Sequence, residues 1–121
     1  MLPVVDANVL LRYLLNDVPD QAAVAREVVA AGCEVYPETL AEVVYVLMGV
    51  YGVPRAQISH VLLNLIEVVF VDRVDELSFA LELLADEGLD FVDCILLAQN
   101  QVSGRKVITF DKKLTQRLKQ P

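Results

Sequence analysis

Proline and glycine punctuate this chain, and the punctuation decides what it can fold into. Pro19, Pro37 and Pro54 each stand where a helical apolar pattern begins, and a proline there gives up an N–H that would have had no helical partner. Gly32, Gly52, Gly88 and Gly104 each follow the end of such a pattern. Between the marks lie brief apolar runs, the first ending in a β-branched pair, Val4-Val5, too short for helices and suited to buried strands. The pattern predicts strands at 2–5, 34–36, 68–71 and 106–109. It predicts helices at 8–15, 21–31, 37–51, 55–66, 76–87 and 91–102, with a short terminal helix begun by Asp111. Short strands alternating with helices imply an α/β fold, a mostly parallel sheet with helices on both faces. The helices at 38–51 and 55–66 read as an αα-hairpin. Its Tyr45, Met48 and Tyr51 suit either core packing or a partner face.

A chain of 121 residues is expected to form one domain, 1–121, with a core that needs no staples. Its 55 % hydrophobic content and mean hydropathy of +0.48 exclude a disordered segment and suggest apolar surface covered by a partner. The longest apolar run, Val43 to Val53, is fenced by Glu42 and Arg55 and falls short of the roughly 20 residues of a membrane span. The first residues carry no basic stretch, so no secretory signal is expected. Cys33 and Cys94 show no metal or redox spacing and read as buried free thiols of a cytoplasmic protein.

Charge is distributed unevenly. Residues 105–121 hold six basic residues and one acid, net +5, whereas residues 1–104 hold four basic and sixteen acidic residues, net −12. The overall −7 argues against a broad basic nucleic-acid surface. The basic end suits either phosphates or an acidic partner, or a solvated helix whose cations sit near its C-terminus.

Four carboxylates stand among apolar residues: Asp6 after Val4-Val5, Glu42 within Leu40 to Met48, Asp93 within Phe91 to Ala98, and Asp111 after Ile108-Thr109-Phe110. Asp6 and Asp111 end predicted strands, the place where open α/β sheets bind ligands. Each acid also has a plain reading. Asp6 and Asp111 can cap the helices after them, and Asp93 can sit in a first turn behind a capping Asp90. Glu42 lies past any cap, and Glu38, Tyr45 and Gly49 make a poor polar stripe with it, so burial is expected. Buried acids usually pair with Arg or Lys, yet none of Arg12, Arg26, Arg55 and Arg73 is a sequence neighbour of these four. Carboxylates short of cationic partners suit a hard divalent ion, Mg²⁺ or Mn²⁺, and no His or Cys cluster contradicts that choice. His60, the single histidine, lies far from the acids and has no adjacent base.

Taken together, Asp6-x-Asn8, Glu42 in a helix after the second strand, Asp90-Phe91-Val92-Asp93 and Thr109-Phe110-Asp111 resemble the PIN-domain ribonucleases. Length and composition resemble the VapC-type toxins of toxin–antitoxin pairs. The resemblance implies a three-layer α/β/α sandwich around four or five short strands, and a metal-dependent endoribonuclease. It implies that Asp6, Glu42, Asp93 and Asp111 hold Mg²⁺ or Mn²⁺, that Asn8 and Thr109 support them, and that Asp90 is a cap first and a ligand second. It implies RNA as substrate, a small antitoxin as partner, and a homodimer. A receiver-like phosphoacceptor would want an adjacent acid pair after the first strand and a late-strand lysine. Here Asp6 stands alone and Lys106 precedes its strand. A PIN-like fold kept for protein binding is the other alternative.

Overall fold

The structure, a computed structural model, describes residues 1–86 and 88–119. Helix α1 (Ala7–Leu15) starts because the Asp6 carboxylate accepts the Val9 N–H at 3.0 Å, and it stops at Asn16 in the left-handed region. Helix α2 (Pro19–Ala31) ends at Gly32, whose φ of 106° and close approach to Leu2 leave little room for a side chain. Strand β1 (Glu34–Val35) leads directly into α3 (Pro37–Gly49), and α4 (Arg55–Leu65) comes after it. Strand β2 (Phe70–Val71) leads into α5 (Val74–Asp86), then come α6 (Phe91–Ser103) and α7 (Lys112–Leu118). Glu87, where the sequence pattern ends the fifth helix, lies outside the described residues, as do Gln120 and Pro121.

The sheet is smaller than the sequence pattern predicts. Among the described residues it has two parallel strands, with Glu34 opposite Phe70 and Val35 opposite Val71. The predicted first strand contributes one parallel bridge, Val4 to Glu34, backed by Glu34 N–H to Pro3 at 2.8 Å and Val5 N–H to Glu34 at 3.2 Å. The expected four-or-five-strand sandwich is therefore not what forms; the molecule is an α/β fold in which helices predominate. Two physical reasons account for this. Val68 and Val69 are taken into the turn after α4, where the Val68 N–H bonds the Leu65 carbonyl at 2.9 Å. The segment 106–109 makes no ladder, and its Ile108 stands in solvent.

Helix periodicity explains the core. On α3, Leu40, Val43, Val44 and Leu47 recur at helical spacing and are fully buried. Ile58 and Leu62 of α4, Leu77, Leu81 and Leu84 of α5, and Phe91 and Leu97 of α6 join the same apolar cluster. Helices α4, α5 and α6 pack most extensively in succession, and α1 packs on α2 and α3; the α3–α4 contact is slighter than a tight hairpin would give. Cys33 and Cys94 are buried free thiols, as their surroundings predict. Among the described residues no helix is long and apolar enough to cross a membrane.

Parallel pairing sets where the helices begin. The bridge segment, β1 and β2 all run the same way, and each feeds a helix within three residues. The N-termini of α1, α3 and α5 therefore lie along one border of the sheet, its carboxyl edge.

Candidate active site

Asp6 and Asp111 are helix caps with an oxygen to spare. Asp6 spends Oδ1 on the Val9 N–H, and Asp111 spends Oδ1 on the Leu114 N–H at 2.8 Å. Both side chains are solvent-exposed. The Asp111 backbone is itself held, because its N–H donates to Thr109 Oγ1 at 3.0 Å and its carbonyl accepts the Thr115 hydroxyl at 2.7 Å. Thr109 thus holds the Asp111 backbone, not its carboxylate. Asn8 is exposed beside a groove of about 330 Å³ between α1 and α2, together with Val9, Arg12, Gln21 and Val24.

Asp90 does not cap with its side chain. It stands at the N-cap position of α6 without a side-chain hydrogen bond to the helix. Its carboxylate instead acts through space on Asp93, one turn on. Asp93 is half-buried, and its pKa is raised, first by burial, then by the charges of Asp111 and Asp90. The starts of α6 and α7 are neighbours. Lys113 Nζ confirms it by donating to the Gly88 carbonyl, just ahead of α6, at 2.7 Å.

Glu42 is exposed, contrary to the burial expected from its neighbours. Residues 38, 42, 45 and 49 form one solvent-facing stripe of α3, and the apolar neighbours of Glu42 in sequence point the other way. Tyr45, one turn further along that stripe, accepts the Val92 N–H at 3.5 Å. This contact, invisible in the sequence, brings the Glu42 face of α3 to the start of α6. Tyr45 and Tyr51 are half-exposed, not core, and only Met48 packs against the interior. Tyr51 accepts from Arg12 Nη2 at 3.3 Å, while Arg12 Nη1 pairs with Asp17 at 2.9 Å. Arg12 is thereby tied to Asp17 and does not neutralise the edge. His60 is exposed on α4, beside a separate cleft with Tyr13 and Arg26.

Asp93, Asp111 and Asp90 therefore share one electrostatic neighbourhood, and Asp6 and Glu42 belong to helices that begin along the sheet edge. Asp6 and Glu42 are not among the charges that act on Asp93. None of the five is ion-paired among the described residues. Their chemistry fits a hard divalent cation: carboxylate oxygens, unpaired, with Asp93 held against like charge. Among the described residues, however, no three such side chains are gathered closely enough to hold an ion. Anionic groups without a cation between them repel one another.

Sequence reasoning misses Glu76, the one buried acid among the described residues, at 9 % exposure. Its oxygen accepts the Ser103 hydroxyl, bracing the start of α5 against the end of α6. The signal is present in the spacing: Glu76 lies one turn before Ala80 and two before Leu84, both on the buried face.

The PIN domain family matches this chain over residues 4–118. The match spans nearly its whole length, and the chain belongs to that family. PIN domains are typically nuclease modules. No curated protein and no solved structure matched the chain.

Proposed function

We propose that residues 1–121 form one cytoplasmic PIN domain acting as a divalent-cation-dependent endoribonuclease, the toxin of a type II toxin–antitoxin pair. The observation that carries this reading is Asp93, half-buried beside Asp111 and Asp90 and without an ion pair among the described residues. The proposed site is Asp6, Glu42, Asp93 and Asp111, with Asn8, Thr109 and Asp90 in support. A bound Mg²⁺ or Mn²⁺ would offset the repulsion between these carboxylates and the phosphodiester and would acidify a water for attack on phosphorus. The chain's own residues do the positioning. Capping bonds tie one carboxylate oxygen of Asp6 and of Asp111 to a helix start, and the second oxygen of each accepts no hydrogen bond among the described residues. Thr109 holds the approach to Asp111, and Tyr45 holds the α3 stripe that bears Glu42 against α6. The partners that go with this reading are an RNA strand, a small antitoxin and a second copy of the chain.

The test is cleavage of RNA by the wild-type protein and by Asp6→Asn, Glu42→Gln, Asp93→Asn and Asp111→Asn, each checked for folding, with Mn²⁺ present. Wild-type cleavage leaving 5′-phosphate and 3′-hydroxyl ends, lost in the variants, supports the assignment. Normal cleavage by all four variants, or a 2′,3′-cyclic phosphate product, overturns it. A folded wild-type protein inert toward RNA with Mn²⁺ would leave a protein-binding module. An adjacent reading frame encoding a small protein with a DNA-binding N-terminus would support the toxin assignment.

A further inference from the structure

The link from α6 to α7 carries an unusual surface. Residues 106–110 belong to no helix or strand, and their exposure alternates along the chain: Lys106, Ile108 and Phe110 face solvent, whereas Val107 and Thr109 are partly covered. This is the period-two pattern of a strand, with outward side chains about 6.6 Å apart. Ile108 is 81 % exposed and Phe110 101 %. Scattered exposed apolar residues need no explanation, but this ring has three distinguishing features.

The first is its place in the chain. Phe110 immediately precedes Asp111, so the two Cα atoms are about 3.8 Å apart. The second is its anchorage. Thr109 Oγ1 accepts the Asp111 N–H, and Asp111 caps α7, so the chain immediately after the ring is tied to the start of that helix. The third is its setting. The ring stands among Arg105, Lys106, Lys112 and Lys113, within residues 105–121, whose net charge is +5. Lys113 is engaged with Gly88, whereas Lys106 and Lys112 are exposed. Lys106 and Lys119 flank a groove of about 440 Å³ with Val107, Ile108, Thr115 and Leu118.

An exposed aromatic ring among cations is the arrangement by which proteins hold single-stranded nucleic acid: bases stack on the ring and phosphates lie on the lysines. We infer that Phe110 is a base-stacking platform for single-stranded RNA beside Asp111, with Lys106 and Lys112 holding the flanking phosphates. The inference rests on the proposed ribonuclease reading and adds to it the residue that seats the strand. It also explains how a protein of net charge −7 approaches a polyanion: contact begins on the positive segment and the strand then runs toward the acids. A protein partner is the less favoured occupant, because Ile108 and Phe110 are apolar islands in a cationic strip, not a broad apolar face.

The chain contains no tryptophan, so Phe110→Trp creates a single fluorescent reporter at the ring. The probe is a single-stranded oligoadenylate of about 12 nucleotides, within the span that single-strand grooves cover. Binding is measured with Mn²⁺ in an Asp93→Asn background, which suppresses cleavage. Phe110→Ala is expected to weaken binding by about 5- to 100-fold. Phe110→Tyr should restore it and Phe110→Leu should not, since leucine is apolar without a π-face. The Phe110→Trp emission should be quenched on adding the oligonucleotide. With Asp93 intact, the loss in Phe110→Ala should fall on KM. If the wild-type protein cleaves RNA while Phe110→Ala and Phe110→Leu bind like their parent, this inference fails and the ribonuclease reading stands. A change in sedimentation in Phe110→Ala without a change in RNA affinity would make the ring a protein contact and overturn the inference. Wild-type protein that neither binds nor cleaves RNA would overturn both.

Discussion

The two ends of α6 treat a carboxylate in opposite ways. At its start, Asp93 is half-buried and faces Asp111 and Asp90, so burial and like charge both raise its pKa. At its end, Ser103 donates a hydroxyl to Glu76, which is more deeply buried and yet partnered through one oxygen. Both acids sit in the first turn of a helix, where the dipole favours negative charge. Depth and dipole therefore do not separate them; the sign of the neighbours does. An acid given a donor braces a fold, whereas an acid given only other acids keeps their repulsion. Among these carboxylates, exposure alone would have pointed to the wrong one.

The sharpest way to break this contrast is by activity. Asp93→Asn should lower RNA cleavage by about a thousandfold, the several kcal/mol expected when metal-assisted catalysis is disabled, whereas Ser103→Ala should cleave normally at temperatures where it is folded. Mn²⁺ comes next. At roughly a hundred times its dissociation constant it should stabilise the wild-type protein by about 2.7 kcal/mol, seen as a rise in melting temperature that Asp93→Asn largely lacks. That gain should fade as pH falls through the raised Asp93 pKa, because the protonated acid no longer attracts the ion. Third, Ser103→Ala should cost about 1–3 kcal/mol, because both Glu76 oxygens are then buried without a donor; equal melting temperatures would show that water replaces the hydroxyl. Smallest is the effect of Asp93→Asn on the metal-free protein. Ionised Asp93 carries a folded-state pKa above its unfolded value, so it destabilises the fold at neutral pH and is relieved as pH falls through the folded pKa. Solvent screening keeps the relief to a few tenths of a kcal/mol, a melting point higher by about 1–2 °C in the variant. A clear loss would place Asp93 outside an acidic neighbourhood.

Much of the fold is readable in the sequence because Pro and Gly act locally. Pro19 and Pro37 start their helices, Pro54 immediately precedes one, and Gly32 and Gly104 stand as C-caps. Strands are harder, since a strand is defined by its neighbour. Nothing in Lys106 to Thr109 says whether an adjacent backbone is within reach, and Val68-Val69 reads as strand until the α4 turn claims it. The acids show the same division. Capping by Asp6 and Asp111 follows from their positions at helix starts. The meeting of Asp93 with Asp111 is a long-range fact that only the family resemblance implies. The exposure of Glu42 is misjudged when sequence neighbours are weighed over helical ones, and Glu76 escapes notice for the same reason. Tyr45 as the contact between α3 and α6 leaves no mark in the sequence at all.

The link after α6 has another side. The amides of Lys106 to Phe110 donate to no backbone carbonyl among the described residues, although Asn100 secures the Arg105 carbonyl at 2.9 Å just before them. This is where deuterium should enter first and where trypsin should cut, after Arg105 or Lys106. Such a nick would sever the peptide bearing Asp111 while leaving the buried residues of α1 to α6 in one piece. On the proposed ribonuclease reading, a single cut at that link would separate Asp111 from the other carboxylates of the site.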